Sequence, residues 1–197
     1  MNILFVCTGN TCRSPMAEAL MKYHANGSIQ VKSAGLFAAE GSPASHQSIE
    51  VLKDNGIEID HRSQPLTQDL VDWADLILTM TSRHKQAIVA QFPSKMSHVS
   101  TLKEHVLENK ETFDKLEQLY DKIEQARMDL YELDEGEKAK RLALEKQIGN
   151  LVKEAQELEQ TVPAMDVSDP YGGPKEVYCQ TYEELDELIQ KLATKYS

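Results

Sequence analysis

The chain has 197 residues, 41% of them hydrophobic, and a formal net charge of −11 at pH 7. This length suits one domain, or one domain with an insertion, and it is long enough for a hydrophobic core. The acidic balance argues against nucleic acid or an anionic membrane as a partner. The apolar stretch at the N-terminus is short and lacks a basic flank, so we expect neither a signal peptide nor a membrane span. Three cysteines do not make a disulfide framework, so we expect a cytoplasmic protein.

Short segments rich in strand-forming residues alternate with helix-like segments. The strand pattern occurs at 2–6, 29–33, 75–80 and 98–102. Helix patterns occur at 15–25, 42–55, 66–73 and 81–92. This alternation predicts an α/β fold with a doubly wound, four-stranded parallel sheet flanked by helices. Such sheets bind ligands at the carboxyl ends of their strands.

Some helix starts have specific residue signals. Pro15 is predicted to be the first residue of the first helix. Ser42 followed by Pro43 predicts an N-cap and first residue for the second helix. Thr181 and Glu184 have the spacing of a capping box, which predicts the start of the last helix.

The segment from Cys7 to Ser14 joins the first strand to the first helix and has the composition of an anion-binding loop. Gly9 and Asn10 can adopt positive φ at low cost, so backbone N–H groups can curve inward around phosphate oxygens. Arg13 adds a planar guanidinium that matches two of those oxygens. Cys7 faces the same concavity, and the surrounding donors favour its thiolate form. A nucleophile beside a bound phosphoryl group implies a phosphocysteine intermediate.

The chain resembles the low-molecular-weight protein tyrosine phosphatases. The run VCTGNTCRSPMAE at 6–18 is similar to the signature of that family. The similarity continues at 33–35, 74–81 and 169–173, with a gap in the middle of the chain. Thr11 stands where tyrosine-directed members usually carry an aliphatic residue, which is similar to the bacterial protein-arginine phosphatases.

The resemblance implies a protein phosphatase that needs no cofactor and no metal. Cys7 is then the nucleophile, Arg13 stabilises the equatorial phosphoryl oxygens, and Asp169 is the general acid. Thr11 and Tyr171 are expected to determine substrate specificity, because a hydroxyl at Thr11 can hydrogen-bond the polar group of phosphoarginine. The implied phosphate-binding residues are Thr8, Gly9, Asn10, Thr11, Cys12 and Ser14.

Three residues near the predicted site have alternative interpretations. Ser14 donates to the Cys7 sulfur, caps the first helix, or does both. Cys12 forms a reversible disulfide with Cys7, or it is an inert thiol. His61 belongs to a polar loop, which we favour over a direct catalytic role.

Residues 107–162 differ in composition from the rest of the chain and are rich in Glu, Lys, Leu and Gln. Apolar residues recur at spacings of three and four in two series, 116–133 and 144–162, separated by a polar break at 134–137. This pattern predicts an antiparallel, coiled-coil-like helical hairpin. We therefore predict a phosphatase domain formed by 1–106 and 163–197, with the hairpin inserted near the acid loop. The hairpin is either a solvated insertion or an arm that docks protein substrates or a partner.

Three functions remain open from the sequence. The first is dephosphorylation of phosphoarginine in proteins, and the second is a tyrosine phosphatase of the same family. The third is a non-catalytic module that binds phosphoproteins or acts as a scaffold. Assays on the two phosphoamino acids separate the first two, and turnover of a chromogenic aryl phosphate would exclude the third.

Overall fold

The computed structural model describes residues 1–25, 27, 29–107, 110–133, 137–159 and 164–196. The chain divides into two compact units. Met1–Val106 and Met165–Ser197 form the first, and Leu107–Ala164 the second. Among the described residues, each helix is too short or too polar to cross a membrane.

A parallel sheet with the strand order β2-β1-β3-β4 forms the centre of the first unit. Its strands are β1 Asn2–Cys7, β2 Gln30–Gly35, β3 Leu76–Thr79 and β4 Val99–Thr101. β1 lies between β2 and β3, and its last residue, Cys7, pairs with Gly35 of β2. The carboxyl ends of three strands therefore meet at the loop that follows Cys7.

Helices cover both faces of this sheet. In the described residues the helices of the first unit are α1 Arg13–His24, α2 His46–Asp54, α3 Gln68–Trp73, α4 Ser82–Gln91, α5 Leu102–Val106 and α8 Lys175–Lys195, whereas α6 Lys110–Glu132 and α7 Lys138–Glu159 belong to the second unit. Leu4 and Val6 pack in one core cluster with residues of α3 and α4. Ile3 and Phe5 are also fully buried and point to the opposite face, because side chains alternate along a strand. α1 contacts β1 and packs against α8. The predicted doubly wound four-stranded sheet is confirmed.

Two predicted helix starts that depended on proline are corrected. α1 begins at Arg13, so Pro15 is its third residue. Proline is tolerated there because the first four N–H groups of a helix have no intrahelical partner. α2 begins at His46, and its cap is Ser45 instead of Ser42. Pro43 precedes this helix and forms an isolated bridge with the segment around residue 62.

Two further boundaries differ from the predictions. The second strand, which was predicted at 29–33, continues through Gly35. The last helix begins at Lys175, well before the predicted capping box. Thr181 is fully buried inside that helix, and its hydroxyl donates to Val177 O at 3.1 Å. A hydroxyl inside a helix can donate a hydrogen bond to a backbone carbonyl of the preceding turn, so a sequence with the capping-box spacing does not have to lie at a helix start.

The second unit is an antiparallel pair of helices, α6 and α7, as predicted. Its core contains Leu116, Leu119 and Ile123 of α6 and Ala155 of α7. Lys115 at the start of α6 pairs with Glu154 towards the end of α7 at 3.5 Å, which requires opposite helix directions. Residues 134–136 of the predicted break at 134–137, and the end of the second apolar series at 162, lie outside the described residues.

Candidate active site

Asn10 determines the shape of the loop between β1 and α1. It has a φ of 54° and is fully buried. Its Nδ2 donates to Ser14 Oγ at 2.9 Å and to Ser33 Oγ at 2.8 Å, and its Oδ1 accepts from Gln64 N at 2.9 Å. His61 Nε2 donates to Asn10 O at 2.8 Å. The expected positive φ is therefore found at Asn10, where side-chain hydrogen bonds hold a left-handed backbone.

The expected positive φ is not found at Gly9. Asn10 alone reverses the chain, and Gly9 leaves one wall of the loop without a side chain. Asn10 and Ser14 are fully buried, so they support the loop from beneath and do not line the open cavity. His61 likewise contacts the loop backbone and does not line that cavity.

The segment after β2 runs beside the loop and fixes it from a second side. Leu36 N donates to Cys7 O at 3.0 Å, and Phe37 N donates to Thr8 O at 2.8 Å. A Cβ atom added to Gly35 would lie only 2.6 Å from Thr8 O. This close approach of two backbones requires glycine at position 35.

Two hydrogen-bond donors surround the Cys7 sulfur. Ser14 Oγ lies 2.9 Å from Sγ, and Asn10 N donates to Sγ at 3.3 Å. Ser14 Oγ already accepts from the Asn10 side chain, so its own proton goes either to the sulfur at 2.9 Å or to Ala34 O at the longer distance of 3.5 Å. Cys12, and not Ser14, is the N-cap residue of α1. Of the proposed roles of Ser14, the structure contains the sulfur contact and not the helix cap.

Arg13 and Asp169 meet at the edge of the loop despite their separation in sequence. Arg13 is buried, and one guanidinium nitrogen lies 2.8 Å from Asp169 Oδ2. The other donates to Val167 O at 3.4 Å. Asp169 Oδ1 accepts from Tyr171 N at 3.2 Å, and Gly172 continues this turn with a φ of 77°. The carboxylate is half exposed and held by a fixed turn, so it can reach a ligand in the loop.

A cavity of about 410 Å³ opens above the loop. Eight of the residues that were predicted for the site line it: Cys7, Thr8, Gly9, Thr11, Cys12, Arg13, Asp169 and Tyr171. Phe37, Ala39 and Ser42 also line it and were not predicted. Phe37 is 82% exposed and Tyr171 is 80% exposed, so two aromatic side chains flank the entrance. The available signal for Phe37 was an aromatic residue just after a strand that ends beside Cys7.

Cys12 faces α8 at the other end of the loop. Its sulfur lies 3.5 Å from the hydroxyl of Tyr178. Burial, together with the contact to Cys12, raises the pKa of Tyr178 to about 12, so this hydroxyl keeps its proton at neutral pH. Cys7, Cys12 and Cys179 are all free thiols. The reversible disulfide between Cys7 and Cys12 stays a prediction.

Comparisons with known proteins agree with this geometry. Residues 2–146 match the family described as low molecular weight phosphotyrosine protein phosphatase. The chain is 38% identical over 193 residues to the protein-arginine-phosphatase of Geobacillus stearothermophilus, an alignment that covers 98% of this chain and 94% of the relative.

Two solved structures are also similar to this chain. The YwlE arginine phosphatase from Geobacillus stearothermophilus has a TM-score of 0.70 at 37% identity, covering 99% of this chain and 92% of that one. A cysteine-to-serine mutant of YwlE arginine phosphatase, with a phosphorylated active-site serine, has a TM-score of 0.69 at 34% identity, covering 99% and 95%. The expected resemblance is confirmed: this chain belongs to the low molecular weight phosphotyrosine protein phosphatase family.

Proposed function

We propose that this protein hydrolyses phosphoarginine side chains of proteins through a phosphocysteine formed at Cys7. The observation that carries the proposal is a single cavity in which Cys7, Arg13 and Asp169 meet beside the polar side chain of Thr11. The similarity to named arginine phosphatases over nearly the whole chain supports it. Because the nucleophile must stay reduced, we also propose that the protein acts in a reducing compartment such as the cytoplasm.

The first step transfers the phosphoryl group to sulfur. Cys7 Sγ attacks phosphorus while the backbone N–H groups of the loop and Arg13 stabilise the equatorial oxygens. The bond from phosphorus to the guanidinium nitrogen breaks, and its electron pair stays on that nitrogen. Asp169 donates a proton to the same nitrogen, so arginine leaves as a stable cation.

The second step returns the enzyme to its starting state. Asp169, now a carboxylate, accepts a proton from a water molecule that attacks the phosphocysteine. The bond between phosphorus and sulfur breaks, and its electron pair returns to Cys7 as a thiolate. The Ser14 hydroxyl, 2.9 Å away, stabilises that leaving sulfur.

Thr11 supports the choice of phosphoarginine over phosphotyrosine. It lines the cavity, and its backbone oxygen accepts from Ser45 N at 2.7 Å, which fixes its position. Its hydroxyl has a long contact of 3.7 Å with Cys12 Sγ, a weak partner that a substrate can replace. A polar wall lowers the cost of burying a guanidinium beside it, whereas an aliphatic wall favours an aromatic ring.

Replacement of Thr11 by isoleucine is expected to change the substrate preference. The ratio of kcat/KM for phosphoarginine to that for phosphotyrosine should fall by about 10-fold or more, the value of one well-placed hydrogen bond. Thr11→Ser keeps the hydroxyl and is the matched control. For the wild type and each variant, the two kcat/KM values are measured on peptides that differ only in the phosphorylated residue. An unchanged ratio in Thr11→Ile would contradict this role of Thr11 in substrate choice.

We also propose that the hairpin of α6 and α7 docks phosphorylated protein substrates of basic character. Acidic residues outnumber basic ones across 107–162. Among the described residues of the two helices, three large apolar side chains are more than half exposed: Met128 at 59%, Tyr131 at 93% and Leu142 at 69%. Tyrosine and methionine are enriched in protein interfaces, and an acidic surround attracts a basic partner.

Deletion of residues 107–162, with a short glycine-serine linker in their place, is expected to separate two activities. Turnover of an aryl phosphate should be retained, and kcat/KM for a phosphorylated basic protein should fall by about 10-fold, since docking acts through effective concentration. Replacing Met128, Tyr131 and Leu142 with serine should reproduce that loss with both helices intact. Lys153→Ser, at another exposed position of α7, is the control. If every variant turned over both substrates as fast as the wild type, this result would contradict docking.

A further inference from the structure

His84 is a buried histidine that contacts the active-site loop and that the reaction steps above do not use. It is the third residue of α4 and is 6% exposed. Its Nε2 lies 2.9 Å from Thr8 Oγ1, and its Nδ1 lies 2.9 Å from Thr81 Oγ1. Thr8 directly follows Cys7, and Thr81 caps α4. One imidazole therefore connects the loop to the start of a neighbouring helix.

This imidazole is neutral at physiological pH. Burial and then the charge of Arg13 lower the pKa of His84 to about 4. Arg83 acts in the same direction, and Asp166 and Asp169 act against it without reversing the shift. A neutral imidazole has one N–H donor and one acceptor nitrogen, so its two hydrogen bonds have opposite directions.

The surrounding hydrogen bonds indicate which nitrogen carries the proton. Thr81 Oγ1 already accepts from the backbone N–H of His84 at 3.2 Å. If its own proton goes to Nδ1, then all the hydrogen-bonding groups at this helix start are used. Nε2 then carries the proton and donates it to Thr8 Oγ1. The opposite tautomer makes Thr81 Oγ1 accept twice and leaves its proton without a use in this arrangement.

The direction of these hydrogen bonds, from Thr81 through His84 to Thr8, determines what the Thr8 hydroxyl can do. Thr8 Oγ1 accepts from His84, so its own proton is free for another acceptor. Thr8 is exposed and lines the 410 Å³ cavity together with Cys7 and Arg13. A phosphoryl group held by the loop brings oxygens that are strong acceptors into that cavity.

We propose that His84 is a positioning residue, which orients the Thr8 hydroxyl so that Thr8 donates a hydrogen bond to the phosphoryl group bound in the loop. The role of His84 is indirect, because it acts through Thr8 and does not touch the substrate. This inference rests on the phosphate chemistry proposed above, but it does not depend on the preference for phosphoarginine.

A double-mutant cycle tests the proposal. Thr8→Val and His84→Leu should each weaken the binding of inorganic phosphate, measured by calorimetry, by about 10- to 100-fold, the range for one hydrogen bond to a charged group. Each should lower kcat/KM for an aryl phosphate by a similar factor. The combined variant should lose no more than either single variant, because His84 acts only through Thr8. Thr8→Ser, which keeps the hydroxyl, should bind phosphate nearly as well as the wild type.

Several results would overturn this role for His84. Unchanged phosphate binding in Thr8→Val would remove it, and additive losses in the combined variant would mean that His84 acts on the fold and not through Thr8. If His84→Leu does not fold, His84→Phe, which also lacks the donor, takes its place in the cycle, and His84→Gln, whose amide can replace the Nε2–H donor, should bind phosphate nearly as well as the wild type. His98→Leu, at an exposed histidine, is the control. Calorimetry needs no turnover. If the protein bound inorganic phosphate but did not hydrolyse the aryl phosphate, this result would count against the proposed function and not against this inference.

Discussion

Cys7→Ser is expected to lower the turnover of an aryl phosphate by about 10⁴-fold or more, which is the usual effect of removing a catalytic nucleophile. The serine hydroxyl holds its proton at neutral pH, and the donors around the sulfur position can stabilise an anion but cannot remove that proton. Serine is slightly smaller than cysteine and keeps the contact with Ser14. The fold should therefore survive, with a thermal midpoint close to that of the wild type.

The matched control for this substitution is Cys179→Ser. Cys179 lies on α8, is partly exposed and does not line the cavity above the loop. Steady-state kinetics and thermal unfolding are measured for both variants beside the wild type. Iodoacetate should alkylate the wild-type protein fastest at Cys7, because a thiolate is the reactive form. Turnover by Cys7→Ser within about 10-fold of the wild type would contradict a phosphocysteine intermediate.

The part of the fold that the sequence predicts best is local. The run 2–6, the loop signature and the two apolar series of the hairpin all lie within continuous segments, so their periodicity is visible without tertiary contacts. The boundaries of the helices and strands are predicted less well. Ser42-Pro43 has a good helix-start signal, but the chain uses this segment in an isolated bridge, and the helix begins after Ser45. Tertiary pairing outweighs a capping preference of about 1 kcal/mol.

The candidate site divides in the same way. Cys7 and Arg13 can be identified from the loop alone, and Asp169 from the family resemblance. The relevance of Phe37 and His84 becomes visible only once it is known which strands lie beside β1. β3 neighbours β1 although it is the third strand in sequence, and this brings the helix that carries His84 against Thr8. Such neighbours follow from sheet order, which the sequence pattern leaves open.

The interaction between Arg13 and Asp169 has a consequence for catalysis. Asp169 Oδ2 accepts a hydrogen bond from Arg13 at 2.8 Å, so this oxygen cannot at the same time give a proton to a leaving group. We expect a phosphoryl group in the loop to offer Arg13 stronger acceptors, so that Asp169 is released towards the leaving group. In the proposed mechanism substrate binding therefore frees Asp169 to act as the acid, and the exposed half of the carboxylate leaves room for this change.

Asp169→Asn is expected to lower kcat for phenyl phosphate by about 10²- to 10⁴-fold, the usual contribution of a general acid. Asparagine has the same shape, and its single carbonyl oxygen can still accept from Arg13 or from Tyr171 N, but it has no acidic proton to give. The loss should be much smaller for p-nitrophenyl phosphate, whose leaving group needs little protonation. Asp166→Asn, at a carboxylate bonded to Ser82 N, is the control and should slow both substrates little. Equal slowing of both substrates by Asp169→Asn would mean that Asp169 orients Arg13 and is not the acid.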